Sequence, residues 1–122
     1  MIRILIADDH DIVREGLKQL LLEEFPNLNI GEANDTTTLI EAACAYHWDV
    51  IISDASMPGG GGFHALERIK TERPMIPVII ISSQATEHYS EKAIKAGAEK
   101  FVSKDFLSTD LVKTVRCILE RK

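Results

Sequence analysis

Nearly continuous apolar runs recur along the chain at Ile2 to Ala7, Val50 to Ile52, Val78 to Ile81 and Phe101 to Val102, with a weaker one at Leu28 to Ala33. A strand with one wet face alternates apolar and polar residues. Runs that do not alternate have both faces covered, as in a parallel sheet held between two layers of helices. That requirement constrains the fold more than any other feature of the chain.

Helical patterns fill the gaps. Asp11 to Glu24 carries Val13, Leu17, Leu20 and Leu21 on one face. A second helix is expected from Thr36 to His47, with Thr38 and Glu41 as a capping box. A third runs from Phe63 to Glu72, and a fourth from Glu87 to Ala96, stopped by Gly97. In the last, Leu111, Val115, Ile118 and Leu119 repeat at helical spacing behind an N-cap expected at Ser108. Pro26, Pro74 and Pro77 punctuate the connections. Five strands alternating with five helices, joined by right-handed crossovers, give an α/β, doubly wound (βα)5 fold. The expected five-stranded parallel sheet is flavodoxin-like, in the order 2-1-3-4-5 with helices on both faces.

In that order the first and third strands are neighbours and the connection reverses between them, where open α/β sheets bind ligands at their carboxyl ends. Asp8 and Asp9 close the first strand and Asp54 the third. Three acids at one rim repel one another unless a cation or protons offset them, and hard oxygen donors suit a Mg2+-type ion. Ser82 and Lys104 close the fourth and fifth strands and add a hydroxyl and an ammonium. Each residue alone has a plainer reading: a charge pair before a helix, a strand-end hydroxyl, a solvated lysine. Their common position supports a site.

The remaining composition excludes more than it suggests. A chain of 122 residues is expected to be one domain, residues 1–122, burying roughly two-thirds of its unfolded surface. No apolar run approaches the ~20 residues of a membrane helix, and the start lacks a secretory signal, so a cytoplasmic location is the expectation. The formal charge of −5 and the lack of a basic stripe argue against direct nucleic-acid binding by this segment. Cys44 and Cys117 read as buried thiols. His10, His47, His64 and His88 show no ligand spacing and read as surface or structural histidines.

The acidic pair, Asp54 followed by Met57-Pro58-Gly59 and Gly62, Ser82 and Lys104 together resemble the receiver domain of bacterial two-component response regulators, over essentially the whole chain. The stretch Asp8 to Leu17 most resembles receivers attached to LuxR/NarL-type DNA-binding domains. The resemblance implies that Asp54 is the phosphoacceptor for a sensor histidine kinase. Mg2+ would be held by Asp9 and Asp54, by Asp8 directly or through water, and by the Ser56 carbonyl. Lys104 would pair with a phosphate oxygen, and Ser82 would donate to another as Phe101 turns inward. The surface of the fourth helix, fifth strand and fifth helix would then switch toward an output, with a homodimer on phosphorylation as one form. The same resemblance places a DNA-binding output domain beyond residue 122, or leaves it absent from this chain.

Three departures from the family pattern stand out, the first being Ala55, smaller than the aliphatic residue common just after the phosphoacceptor, which with Ser56 and Gln84 is expected to alter water access to the acyl phosphate. Asp105 follows Lys104 where most receivers have a cis-joined proline, so a trans bond is expected. Gly59 to Gly62 are four consecutive glycines, from which a soft loop is expected. Ser83 competes with Ser82, and strand alternation is expected to turn it away. Two other functions share the sequence. Asp9-His10-Asp11 also resembles the opening of haloacid-dehalogenase-like phosphatases, with Asp9 as nucleophile, although that reading leaves Asp54 unexplained. A pseudo-receiver, a docking module without chemistry, is the third.

Overall fold

A computed structural model describes residues 1–84 and 86–121. The elements follow in the order β1 (Ile2–Ala7), α1 (Asp11–Glu24), β2 (Leu28–Ala33), α2 (Thr36–Ala45), β3 (Val50–Asp54), α3 (Gly61–Glu72), β4 (Val78–Ser82), α4 (Glu87–Lys95), β5 (Lys100–Ser103) and α5 (Val112–Glu120). All strand pairs are parallel, and the sheet order is β2-β1-β3-β4-β5. This is the flavodoxin-like arrangement that the apolar runs require.

The runs are continuous because alternate residues enter two separate cores. Leu5, Ala7, Ile51, Val78 and Ile80 pack with Leu39, Leu66, Ile69 and Ala93 of α2, α3 and α4. Ile4, Ile6, Val50, Ile52, Ile79, Ile81 and Val102 pack with Leu17 and Leu21 of α1 and with Val115 and Ile118 of α5. β3 and β4 are buried at every position. Burying one such Ile or Leu contributes about 1.5–3 kcal/mol, so the central strands are the rigid base from which the site projects. Among the described residues, no helix is long and apolar enough to cross a membrane.

Several local expectations need correction. The capping box of α2 pairs Asp35 with Thr38, not Thr38 with Glu41: Asp35 Oδ1 accepts from the Thr38 N–H at 2.8 Å, and Thr38 Oγ1 accepts from the Asp35 N–H at 3.4 Å. A carboxylate placed before the first helical residue is the better acceptor, so the helix starts on Asp35. Its far end comes at Ala45 rather than His47, and Trp48 turns inward to donate from Nε1 to the Ala42 carbonyl at 2.9 Å.

The last helix departs more. The chain starts to wind at once after β5, in a 3-10 turn over Lys104–Phe106 and then a wider π-type turn over Leu107–Leu111, before α5 proper. The capping hydroxyl is Ser103, which accepts from the Asp105 N–H at 3.2 Å; Ser108 sits exposed inside the π-type turn. The bond between Lys104 and Asp105 is trans, as expected. The cysteines differ too: Cys44 is half-buried and Cys117 exposed. Cys44 lies beside the buried stripe of α2, whereas Cys117 falls on the solvent face of α5 with Lys113, Arg116 and Glu120.

Candidate phosphoryl-transfer site

The register of the sheet assembles the site. Ala7 of β1 pairs with Ser53 of β3, so Asp8 and Asp54 leave adjacent strands side by side. Asp54 pairs with Ile81, and Ser82 pairs with Ser103, which brings Ser82 and Lys104 to the same edge. Asp9, His10, Asp54, Ser56, Ser82 and Lys104 line a concavity of about 490 Å3 at the carboxyl ends of the strands.

Asp8 and Asp54 are the buried members, at 0% and 4% exposure. Lys104 reaches between them, its Nζ 3.1 Å from Asp8 Oδ2 and 3.3 Å from Asp54 Oδ2. Burial pushes the Asp54 carboxyl above its ordinary pKa, and the Asp8 charge adds to this; Lys104 and the Ser56 N–H oppose both. On Lys104, burial would depress the ammonium, yet the hydrogen bond to Asp8 and the charges of Asp54 and Asp8 outweigh it, and the group is raised. One ammonium therefore serves two buried carboxylates, and the cluster keeps an excess of negative charge.

Ser82 is buried, and its Oγ accepts from the Gln84 N–H at 3.0 Å, which leaves the hydroxyl proton free to donate. Ser83 is exposed and also lines the concavity, so the two serines differ in burial and not, as alternation had suggested, in direction. Phe101 lies half-buried on β5 against the core shared with α2, α3 and α4. Ser56 is exposed at the rim, and its N–H donates to Asp54 Oδ1 at 3.4 Å.

The four-glycine loop after β3 is not slack. The Thr36 N–H donates to the Pro58 carbonyl at 3.0 Å, and the Thr36 hydroxyl accepts from the Gly61 N–H at 3.0 Å and faces the Gly61 carbonyl at 3.4 Å. Gly59, Gly60 and Gly61 have φ of 95°, 117° and 83°, a region that side chains disfavour. A Cβ on Gly62 would lie 2.1 Å from the Asp54 carbonyl oxygen. The expected softness is replaced by a loop that α2 holds under the phosphoacceptor candidate.

His10 also belongs to the site, contrary to its reading as a scattered histidine. Its Nδ1 is 2.8 Å from Asp8 Oδ1 and 3.2 Å from Asp9 Oδ1, and one ligand atom each from Asp8, Asp9, His10 and Asp54 fall within 4.8 Å of one another. The hydrogen bond to Asp8, then the charges of Asp9 and Asp8, raise the imidazole pKa. Spacing could not reveal this, because its partners are sequence neighbours folded back on it by the tight turn into α1. An acidic pair directly before a histidine was the available signal.

Comparison with known proteins agrees with this architecture. The profile of the response regulator receiver domain matches residues 4–116. The Fimbriae Z protein of Salmonella typhimurium is 34% identical over 116 residues, which span 95% of this chain and 55% of that protein. The transcriptional regulatory protein YdfI of Bacillus subtilis is 35% identical over 115 residues, 94% of this chain and 54% of its own length. The chain thus spans about half the length of the curated relatives it matches. A two-component response regulator of the LuxR family from Aurantimonas sp. SI85-9A1 superposes with a TM-score of 0.89 at 30% identity, covering 98% of this chain and 86% of that one. A family model that matches residues 4–116, with relatives that match nearly the whole chain, makes the chain a member of the response regulator receiver domain family, in its LuxR/NarL-like branch.

Proposed function

We propose that this receiver accepts a phosphoryl group on Asp54 from the phosphohistidine of a sensor histidine kinase. An Asp54 carboxylate oxygen bonds to phosphorus as the phosphorus–nitrogen bond breaks, and the electron pair leaves on the imidazole. Such a transfer is catalysed by positioning and charge neutralisation. The observation that carries the reading is the buried Asp54 carboxylate with Lys104 Nζ at 3.3 Å and two further acids beside it. Lys104 is placed to neutralise one phosphoryl oxygen as a compact charge, and Ser82 to donate to a second.

The donor set fits Mg2+: carboxylate oxygens in excess over the single ammonium, one of them from Asp9 at the partly exposed mouth. Asp9, Asp54 and the Ser56 carbonyl would hold the ion, with Asp8 behind them. When bound, Mg2+ supplies Lewis-acid neutralisation of the phosphoryl oxygens. No catalytic turnover beyond self-phosphorylation and slow autodephosphorylation is proposed. Phosphorylation adds about −2 charge at the rim. Ser82 moving toward it and Phe101 turning inward would alter the α4-β5-α5 surface, through which a linked or partner output domain is controlled, with homodimerisation as one form. The proposed setting is the cytoplasm and the proposed output transcription, carried by a DNA-binding domain outside residues 1–122.

Intact mass after incubation with a small phosphodonor and Mg2+ tests this directly. The parent takes up one phosphate and Asp54→Asn essentially none. Uptake on Asp9 instead would point to the phosphatase-like reading, and no uptake by the parent to a docking module.

A further inference from the structure

The geometry points to His10 as a nitrogen donor that makes this metal site select Mn2+ over Mg2+. The inference rests on the receiver reading of the acidic cluster and concerns the identity of its cation.

Of the acidic cluster, the side chains of Asp9 and His10 face solvent at the mouth of the concavity, at 32% and 62% exposure, while Asp54 lines it from a buried position and Asp8 is fully buried behind. A hydrated cation therefore meets the imidazole as it meets Asp9. Donor atoms from all four residues lie within 4.8 Å of one another. Opposite donors of an octahedral Mg2+-sized ion are about 4.2 Å apart, so a small contraction lets one ion bridge the set.

The imidazole is also free to leave its present partner. Asp8 Oδ1 accepts from the His10 backbone N–H at 2.9 Å as well as facing Nδ1 at 2.8 Å, and Asp8 Oδ2 is held by Lys104. Turning Nδ1 toward a cation leaves both Asp8 oxygens with a donor. Lys104 occupies Asp8 more closely than Asp54, which favours Asp9, Asp54 and His10 as the direct donors.

Ligand chemistry then separates the ions. Mg2+ is hard, demands oxygen donors and sheds water reluctantly. Oxygen donors suit Mg2+ and Mn2+ alike in octahedral geometry, but Mn2+, as the softer first-row transition ion, also takes an imidazole nitrogen beside its carboxylates. Oxygen donors serve both ions, whereas an imidazole nitrogen adds affinity for Mn2+ that Mg2+ does not share.

The test uses the whole chain. Mn2+ binding is followed by the loss of the free-ion electron paramagnetic resonance signal, with Mg2+ as competitor, and electron spin echo modulation of the bound ion reads directly coordinated 14N. His10 is exposed, so His10→Gln is expected to keep the fold, checked by circular dichroism. The parent shows direct nitrogen coupling and prefers Mn2+. In His10→Gln the coupling disappears, Mn2+ affinity falls about tenfold, the lower end for loss of a group supporting a metal, and Mg2+ affinity stays within twofold. Mn2+ bound to the parent without nitrogen coupling, or an unchanged Mn2+ to Mg2+ ratio in the variant, overturns the role of His10 and leaves the receiver reading intact. Failure of the parent to bind either ion overturns both.

Discussion

The loop that follows β3 and the connection that follows β5 both feed the site, one with Asp54 and the other with Lys104, yet they are built by opposite means. The β3 loop ends in a run of glycines that have no side chains to hold it, and it is held from outside by Thr36 of α2. The β5 connection is held from within: Ser103 caps the first turn, Thr109 Oγ1 donates to the Phe106 carbonyl at 3.3 Å, and Thr114 Oγ1 to the Asp110 carbonyl at 2.7 Å. Tightness of a loop is thus a property of its partners, not of its composition. Glycine here serves close backbone approach, and the entropy it loses on ordering is offset by hydrogen bonds made with another element.

Gly62→Ala strikes that close approach hardest. The added Cβ meets the Asp54 carbonyl oxygen, the Asp54 carbonyl carbon and the Ala55 Cα at 2.1, 3.0 and 3.1 Å. All are backbone atoms that cannot rotate away. A loss on the order of 3 kcal/mol is expected in urea unfolding, with Asp54 displaced and phosphate uptake slowed. An alanine variant as stable as the parent would mean that the loop is loose after all.

Thr36→Val keeps the shape and removes the hydroxyl. The Gly61 N–H then loses its acceptor in a buried setting, at about 1–2 kcal/mol, while Thr36→Ser retains it and remains near the parent. Hydrogen exchange at Gly61 sharpens the result, rising in the valine variant and not in the serine variant. If both variants behave alike, the clamp is packing by the methyl group and not the hydrogen bond.

These two regions also show what the chain reveals in advance. The sheet and its order were legible because burial on both faces leaves a one-dimensional record, and Asp8, Asp9, Asp54, Ser82 and Lys104 were legible because strand ends map to one rim. The Thr36 clamp was not. Its hydroxyl and the Gly61 N–H are 25 positions apart and meet only through the packing of α2 beside α3. His10 escaped for the reverse reason: its partners are too near in sequence for spacing to carry information.

The pair where the two regions touch, Asp54 and Lys104, yields a pH test. The folded Asp54 carboxyl lies above its ordinary value, chiefly through burial and then the Asp8 charge. Between the ordinary and the raised values the native state holds more protons than the unfolded one, so stability falls as pH rises through that window. Asp54→Asn removes this fall. Above the window the variant is expected to melt higher than the parent, and the gap closes as pH drops below the ordinary carboxylate range. A gap independent of pH would mean that Lys104 already neutralises Asp54 in full.

The smallest effect separates the two candidate caps after β5. Ser103 Oγ accepts the Asp105 N–H, so Ser103→Ala exposes a donor in the first turn at a partly buried position, a loss of about 0.5–1 kcal/mol. Ser108 is exposed inside the π-type turn, where its backbone is already wound, and Ser108→Ala is expected to move stability by less than about 0.5 kcal/mol. Ser103 also fixes where Lys104 leaves the strand, so its variant should show slower phosphate uptake while Ser108→Ala should not. Reversal of the two would return the cap to Ser108 and leave Lys104 oriented by its carboxylate partners alone, making the β5 connection, like the β3 loop, a segment held in place from outside.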